Sequence, residues 1–440
     1  MSFNNKPTNV RWLVLGLASL TSFMLYLHRY TWAVIRPELE REYGFSNTEL
    51  EQIFTLFNFT YAIGQIPGGI VCDLFGAHMF LGSIIFLWSA SLILFALVGT
   101  FWAFGGIRLV FGAAQAGAYP SLSNVTRNWF APSSRTTVQG FIASTSGRAG
   151  GALAPIIMAT LLMGYYGFTW QVALIIIASL GVFFAAAFLL LFRNSPETDK
   201  RVNTQEKELI REGEKAASTT RKIMPFKKAF KNRNFLLLIF QQYANAGADI
   251  VYTSVLGSFF LSKNISIAEM GIYASLPLFG GAIGGFFGGI LNDFAIRKTG
   301  SRRWGRGIIG CLGKAIAAGC LLVAISQSSV DALAWGLFVV KFFSDWSQPT
   351  VWGTCTDMGG RHSATTFSIV NTTGNIGALS VPLFVGPLLD YYSTFEIING
   401  VQERITDYGP MFVMVACLYM VSAITWLFLD CTKPIDPDSD

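Results

Sequence analysis

Eight polar residues interrupt long apolar stretches of this 440-residue chain: His28 and Arg29, Arg108 and Gln115, Arg148, Asp249, and Lys341 with Asp345. An ionised group among apolar neighbours is costly, and where one persists inside a membrane span it usually binds, conducts or gates. Among the ionised groups, Arg29, Arg108, Arg148 and Lys341 stand against Asp249 and Asp345, a surplus of two positive charges before His28 is considered. A positive, water-filled cavity selects an anion, and the planar fork of arginine suits bidentate binding of carboxylate or phosphate. Arg29 and Arg108 have no acidic neighbour in their own stretches, so they are the leading candidates to hold an anion; a gating ion pair is the alternative. Lys341 and Asp345, four residues apart, can neutralise each other on one helix face. Arg148 lies in Gly147-Arg-Ala-Gly-Gly151, a small-residue face for close helix packing, and could equally pair with Asp249.

The elements that carry these residues are membrane helices. Hydrophobic residues make up 52% of the chain and charged ones 13%, against about a quarter charged in soluble domains. Stretches long enough to span, roughly 20 apolar residues each, occur twelve times: 11–36, 50–74, 79–99, 101–129, 137–163, 168–192, 234–261, 268–292, 305–326, 331–356, 364–389 and 409–430. The expected fold is an all-α membrane protein, with a six-helix bundle over residues 1–193, a cytoplasmic linker over 194–233 and a second six-helix bundle over 234–440. Lys6, Arg11, Arg127, Arg135, Arg297, Lys298, Arg302, Arg303, Arg306 and Arg361 fall on one side, and Arg36, Arg41, Lys263 and Arg404 on the other. Cytoplasmic excess of Lys and Arg places both termini inside the cell membrane. The net charge of +6 therefore reflects topology, and no nucleic-acid partner is implied. The polar stretch from Arg193 to Arg233 holds twelve Lys/Arg against six Asp/Glu, and Gln205–Lys215 reads as a solvated amphipathic helix, a tether or a docking site. The six cysteines form neither a disulfide framework nor a metal-type spacing. The first span is expected to serve as its own targeting signal.

One motif repeats. Gly69, Asp73, Gly76 and His78 follow the second span; Gly289, Asp293, Arg297, Lys298, Gly300, Arg302 and Arg303 follow the eighth, with the two aspartates 220 residues apart. Each aspartate closes an apolar helix, where it can receive a helix N-terminus or an arginine. This loop, in a six-plus-six chain with a long central linker, resembles the major facilitator superfamily. The resemblance implies two halves that rock about a central site. Leu74 and His78 replace the basic residues usual in that family's first copy, which implies a weaker inner gate on that side.

Further motifs narrow the resemblance. Tyr26-Leu-His-Arg29, Tyr61, the run from Arg108 through Gln115 to Pro120, Asn128-Trp-Phe130 with Arg135, and Gly150–Pro155 are similar to the anion:cation symporter family. Trp352, Asp357, Asn371 and Asn375 continue the match in the second half. The resemblance implies a monomeric, cofactor-free secondary transporter of sugar acids or other organic anions, generally taken up with protons. It further implies that Arg29 and Arg108 hold or gate the anion and that Tyr26, Tyr61, Gln115, Trp352, Asn371 and Asn375 shape the site, with Asp73 and Asp293 at the gates. His28 and Gln115 stand where many members carry Asp and Glu, the expected proton carriers. Glutamine does not titrate, which leaves His28 and Asp249 as coupling candidates and symport, exchange and facilitated diffusion all open. A related organophosphate:phosphate antiporter would place an arginine in the seventh span, and Phe235–Ser262 holds none. A transporter-like sensor would favour an appended domain, and only a short acidic tail follows Leu429. No nucleophile elbow, zinc motif or nucleotide-binding loop suggests an enzyme.

Overall fold

The computed structural model describes residues 6–131, 134, 138–212, 226–359, 363–398 and 401–435. Helices occupy all twelve apolar stretches. Eight of these helices, among the described residues, are long and apolar enough to cross a membrane by length and composition alone. In chain order the elements are α1 (Val10–Tyr30), α2 (Trp32–Tyr43), α3 (Asn47–Phe75), α4 (Ala77–Phe95), α5 (Phe101–Ala116), α6 (Ala118–Trp129), α7 (Gly147–Pro155) and α8 (Trp170–Leu191). Then follow α9 (Thr204–Arg211), α10 (Phe226–Ala229), α11 (Arg233–Ser254), α12 (Leu256–Leu261), α13 (Ile267–Thr299) and α14 (Arg302–Ile325). The chain closes with α15 (Val330–Ser344), α16 (Ser347–Gly359), α17 (Ser363–Tyr391), a hairpin of β1 (Ser393–Ile398) and β2 (Val401–Thr406), and α18 (Gly409–Phe428). Side-chain oxygens of Thr100, Thr169, Asn203, Ser266, Ser301 and Ser329 accept first-turn N–H groups and fix where their helices begin.

Four spans expected to be continuous are interrupted, and they are the first, fourth, seventh and tenth. The fourth breaks at Gly117 because Pro120 offers no N–H and its ring crowds the carbonyl of Ala116. Pro349 does the same to Asp345 in the tenth, and in the first Thr31 turns its hydroxyl onto the His28 carbonyl at 2.7 Å. We find no comparable local cause for the break at Val255. The fifth span runs Val138–Tyr165, with wider i→i+5 turns over Phe141–Ser146 and Ile156–Tyr165 flanking α7, which contains Pro155.

The chain divides into two compact units, residues 1–31 with 56–219 and residues 32–55 with 220–440. The first has a core of Trp88, Phe95, Phe104, Phe111 and Trp129. The sequence treats residues 194–233 as a separate linker, yet α9 is built into this unit. Glu206 is fully buried and accepts from Thr8 Oγ1 at 2.5 Å, Val10 N at 3.2 Å and Arg11 N at 3.1 Å, with Arg11 Nη1 at 3.5 Å. α1 has no side-chain cap of its own, so this carboxylate answers the positive end of the helix.

The second unit includes the far ends of the first two spans. Arg36, expected as an outer-loop cation, is buried and donates to Asn47 Oδ1 at 2.7 Å, Glu51 Oε1 at 3.3 Å and Ser258 Oγ at 2.5 Å. Asp390 receives the backbone N–H groups of Asn47 and Thr48, each at 2.9 Å, at the start of α3. The hairpin departs from the all-α expectation. Its strands pair antiparallel from Ser393↔Thr406 to Ile398↔Val401, and the intervening dipeptide, Asn399-Gly400, is the type that two-residue hairpin turns favour.

Candidate functional site

The first unit gathers its cations around aromatic rings. Arg29 ends α1 two residues before the break, and its Nε and Nη2 both donate to Gln115 Oε1 at 3.2 Å. Its guanidinium carbon stands 4.4 Å from the ring centre of Tyr61, 5.0 Å from Phe57 and 5.2 Å from Tyr26. Ring faces stabilise a cation without neutralising it. Among the described residues of this unit no carboxylate pairs with Arg29, and its side chain is half-buried. Arg108 lies two helical turns before Gln115 on the same face of α5. It shares the Phe57 ring, at 5.1 Å, and also meets Phe111 at 5.4 Å. It is only 2% exposed, so Arg29 fronts the site and Arg108 stands behind it. Gln115, expected to line the site, is fully buried. Its oxygen holds Arg29 and its Nε2 donates to the Leu25 carbonyl at 3.1 Å, so its role is to orient the guanidinium. Tyr119 was not anticipated here; its hydroxyl meets Ser22 Oγ at 3.0 Å and its ring packs edge-on to Tyr26 at 6.4 Å.

His28 points elsewhere. One residue along a helix turns a side chain by about 100°, and His28 enters the interior between α4 and α8, fully buried. Its Nδ1 accepts from Trp88 Nε1 at 3.1 Å, and its Nε2 therefore donates to the Ile177 carbonyl at 3.1 Å. That pair of bonds fixes a neutral imidazole with no nitrogen left for an incoming proton. The slot exists because residue 181 is glycine: a Cβ there would come within 2.4 Å of His28 Cε1. A coupling role for His28 is not what this geometry provides.

The second unit holds a compact ionic cluster. Lys341 Nζ donates to Asp345 Oδ1 and to Asp249 Oδ1, each at 2.9 Å. Tyr419 Oη also donates to Asp249 Oδ1, at 2.8 Å. Lys341 and Asp345 are each 7% exposed in their side chains and Asp249 25%. Gly281 makes room for Asp345, because a Cβ there would lie 2.5 Å from its Oδ2. Sequence reading missed Lys314, a fully buried cation in the ninth span that donates to Asn245 Oδ1 and, at 2.8 Å, to Ser344 Oγ. A lone lysine within Gly313-Lys-Ala was the available signal.

The remaining expected residues are dispersed. Arg148 is half-buried on α7, and in the second unit the partners of Asp249 are Lys341 and Tyr419. Trp352 on α16 is 43% exposed and meets Phe367 edge-on at 6.3 Å. Asn371 is exposed and Asn375 half-buried on α17, one turn apart. Asp293 is exposed near the end of α13, while the side chain of Asp73 lies outside the described residues, as do Arg135 and Arg361. In the second motif copy the ion pairs form at Asp357, with Arg306 at 2.8 Å and Arg302 at 3.3 Å, and Arg303 reaches Asp430 at 3.7 Å. In the first copy His78 Nε2 bonds the Leu189 carbonyl at 2.7 Å, and its backbone N–H bonds Asn194 at 2.7 Å.

Long apolar helices around a guanidinium that pairs with no carboxylate among the described residues of its unit define a multi-pass membrane protein fitted to meet an anion. The chain belongs to the Major Facilitator Superfamily, whose family model matches residues 18–382. It is 25% identical over 434 residues to the probable sulfoacetate transporter of Cupriavidus necator, covering 97% of this chain and 96% of that protein. Identity is also 25% over 410 residues with the probable galactarate/D-glucarate transporter of Bacillus subtilis, covering 89% and 88%. With the hexuronate transporter of Escherichia coli it is 23% over 415 residues, covering 90% and 93%. These names agree with the resemblance to the anion:cation symporters. The fold is shared with a bacterial homologue of the human lysosomal transporter Spinster, at a TM-score of 0.72, 18% identity and coverage of 96% and 95%.

Proposed function

We propose that this protein is a monomeric secondary transporter, with both termini cytoplasmic, that carries small organic anions across the cell membrane by alternating access. The substrates are carboxylates or sulfonates of the sugar-acid size class. The observation that carries this reading is Arg29: half-buried, oriented by Gln115, ringed by Tyr26, Phe57 and Tyr61, and answered by no carboxylate among the described residues of its unit. A guanidinium held through Nε and Nη2 leaves its Nη1–Nη2 edge for a ligand. Tyr61 and Tyr26 supply apolar faces with polar rims, which suits a short hydroxylated or sulfonated acid. Arg108 supports the same field from behind Phe57. We also assign Trp352, Asn371 and Asn375 of the second unit to substrate binding.

The names of the relatives support the same class of ligand. The test is a thermal-shift screen of purified protein against D-glucarate, D-glucuronate, sulfoacetate, amino acids and phosphate esters, followed by uptake into proteoliposomes. Ligand binding raises the melting temperature by mass action. Stabilisation and saturable flux with an organic acid, both lost in Arg29→Ala while folded protein remains, is the expected result. Saturable binding without flux would make the protein a sensor, and unchanged uptake by Arg29→Ala would remove the assigned site.

A further inference from the structure

We propose that Asp249 is the group that takes up and releases the coupling proton, through an exchange of carboxylates on Lys341. This rests on the anion-transport reading above. Lys341 is held by two carboxylates at the same distance, 2.9 Å. Lys341 needs only one carboxylate contact of its own, so one of the two contacts is spare, while the charge of the second carboxylate balances the nearby Lys314. Asp345 is sealed in the Gly281 slot at 7% exposure and is reached along one helix face from Lys341; Asp249 is 25% exposed. The spare carboxylate is therefore the one that water reaches.

Every charged or titratable neighbour is compatible with this exchange. Asp249 is faced from α15 by Lys341 and Asp345, from α18 by the Tyr419 hydroxyl at 2.8 Å, and on its own helix by Tyr252, whose ring lies 5.4 Å from Lys341 Nζ. From α14, Lys314 is engaged by the neutral Asn245 and Ser344, so the two lysines and two aspartates of the cluster balance. Of the charged groups on α2, which also packs on α11, Arg36 is occupied by Glu51 and Asn47. α17 brings the Tyr243–Ser380 hydroxyl pair, at 2.7 Å, and has its one carboxylate, Asp390, at its end beside Asn47 and Thr48. α16 has its carboxylate, Asp357, on Arg306 at 2.8 Å.

When a proton from water binds an Asp249 oxygen, an O–H bond forms and the Lys341 contact to that oxygen is given up. Asp345 keeps Lys341 paired, and the buried charge of Lys314, held by the neutral Asn245 and Ser344, is left for the incoming anion to balance. The cluster then carries one net positive charge, which favours entry of an anion from water. Departure of the anion and of the proton on the other side restores the neutral arrangement. In the first unit His28 has both ring nitrogens bonded and Gln115 is an amide, so neither offers an equivalent.

The test uses full-length protein in proteoliposomes with D-glucarate and sulfoacetate as probes. Two readings are taken: counterflow without a gradient, and net accumulation under an inside-alkaline step of one pH unit, which drives about tenfold accumulation for one proton per anion. We expect wild type to show both, and Asp249→Asn to keep counterflow while accumulation falls to the level seen without a gradient. If the Asn variant does not fold, Asp249→Ser is read the same way, and Asp249→Glu, which keeps an acid, retains the gradient response. Gradient-driven accumulation by Asp249→Asn, or counterflow with no gradient response in wild type, overturns the proposal. Absence of counterflow of both probes in wild type overturns the anion reading itself, and this assignment with it.

Discussion

Replacing Gln115 with leucine isolates the orientation of Arg29 from its charge. The amide oxygen accepts both Nε and Nη2 of Arg29 at 3.2 Å, and the amide nitrogen donates to Leu25. Leucine of similar volume removes all three bonds and leaves the guanidinium within 5.2 Å of three ring centres. Hydrogen bonds to charged groups contribute about 1.5–3 kcal/mol, and the two here share one acceptor, so we count them once at about 2 kcal/mol. Each ring contributes on the order of 1 kcal/mol, which keeps Arg29 near its place but free to turn. The anion should therefore bind roughly 30-fold more weakly in Gln115→Leu, since each 1.4 kcal/mol is about tenfold. The Leu25 carbonyl keeps its place in the α1 ladder and loses only its second donor, worth about 0.5–1.5 kcal/mol to the fold, so the ligand-free melting temperature should also fall by a few degrees. Calorimetric titration of both proteins with D-glucarate and sulfoacetate, beside melting curves without ligand, measures the two effects separately. Affinity within twofold of wild type in a folded Gln115→Leu protein would refute the view that Gln115 sets the fork.

Arg29→Lys keeps the charge but loses the fork, and should weaken anion binding by about tenfold, 1–2 kcal/mol, in the same titration. His28→Leu leaves Trp88 Nε1 buried without its acceptor, so thermal unfolding should show a loss of about 1–3 kcal/mol. Its response to a pH gradient should match wild type; a lost response would mean that His28 is not sealed. Glu206→Gln removes the charge at the start of α1 and the Arg11 pair, worth about 0.3–1 kcal/mol at such a terminus and up to about 2 kcal/mol when partly buried. Hydrogen exchange should accelerate across 204–211, and protection equal to wild type would show that α9 docks by other contacts.

Apolar runs of spanning length were legible because the membrane demands them, and helices fill every one. The cations were legible for the opposite reason: Arg29, Arg108 and Lys341 are conspicuous where charge is expensive. What the sequence does not carry is direction. His28 and Arg29 are neighbours in the chain, yet one enters the helix interior and the other the aromatic cage, and only the rotation of α1 against α4 and α8 decides which. The family resemblance implies that Gln115 shapes the site; its burial, set by Leu25 and Arg29, makes it a strut. Lys314 was passed over because its span is otherwise glycine- and alanine-rich and apolar. Arg36 looked like loop charge because its partners, Glu51 and Ser258, come from distant parts of the chain. The helix breaks at Gly117 and Asp345 were within reach, since Pro120 and Pro349 announce them. The hairpin was too, from Asn399-Gly400.

The interrupted spans bear on how the protein is made. The stretches outside the eight self-evident membrane helices are the second, fourth, seventh and tenth, and three of these carry Arg108 with Gln115, Asp249, and Lys341 with Asp345. On insertion scales each central Arg, Lys or Asp costs about 2.5–3.5 kcal/mol, so Lys341 and Asp345 together set some 5–7 kcal/mol against the apolar residues of the tenth segment. Such a segment is held in lipid more firmly once a neighbour adds a further partner, as Asp249 from the seventh does for the Lys341–Asp345 pair. The order of assembly at the translocon then follows the chemistry. Strongly apolar helices enter on their own, and those that carry Arg108, Asp249 and Lys341 wait for partners. Impaired biogenesis, seen as degraded or half-inserted chains, is therefore the expected price of removing one member of the Asp249–Lys341–Asp345 set during synthesis, even where the finished transporter would tolerate the change.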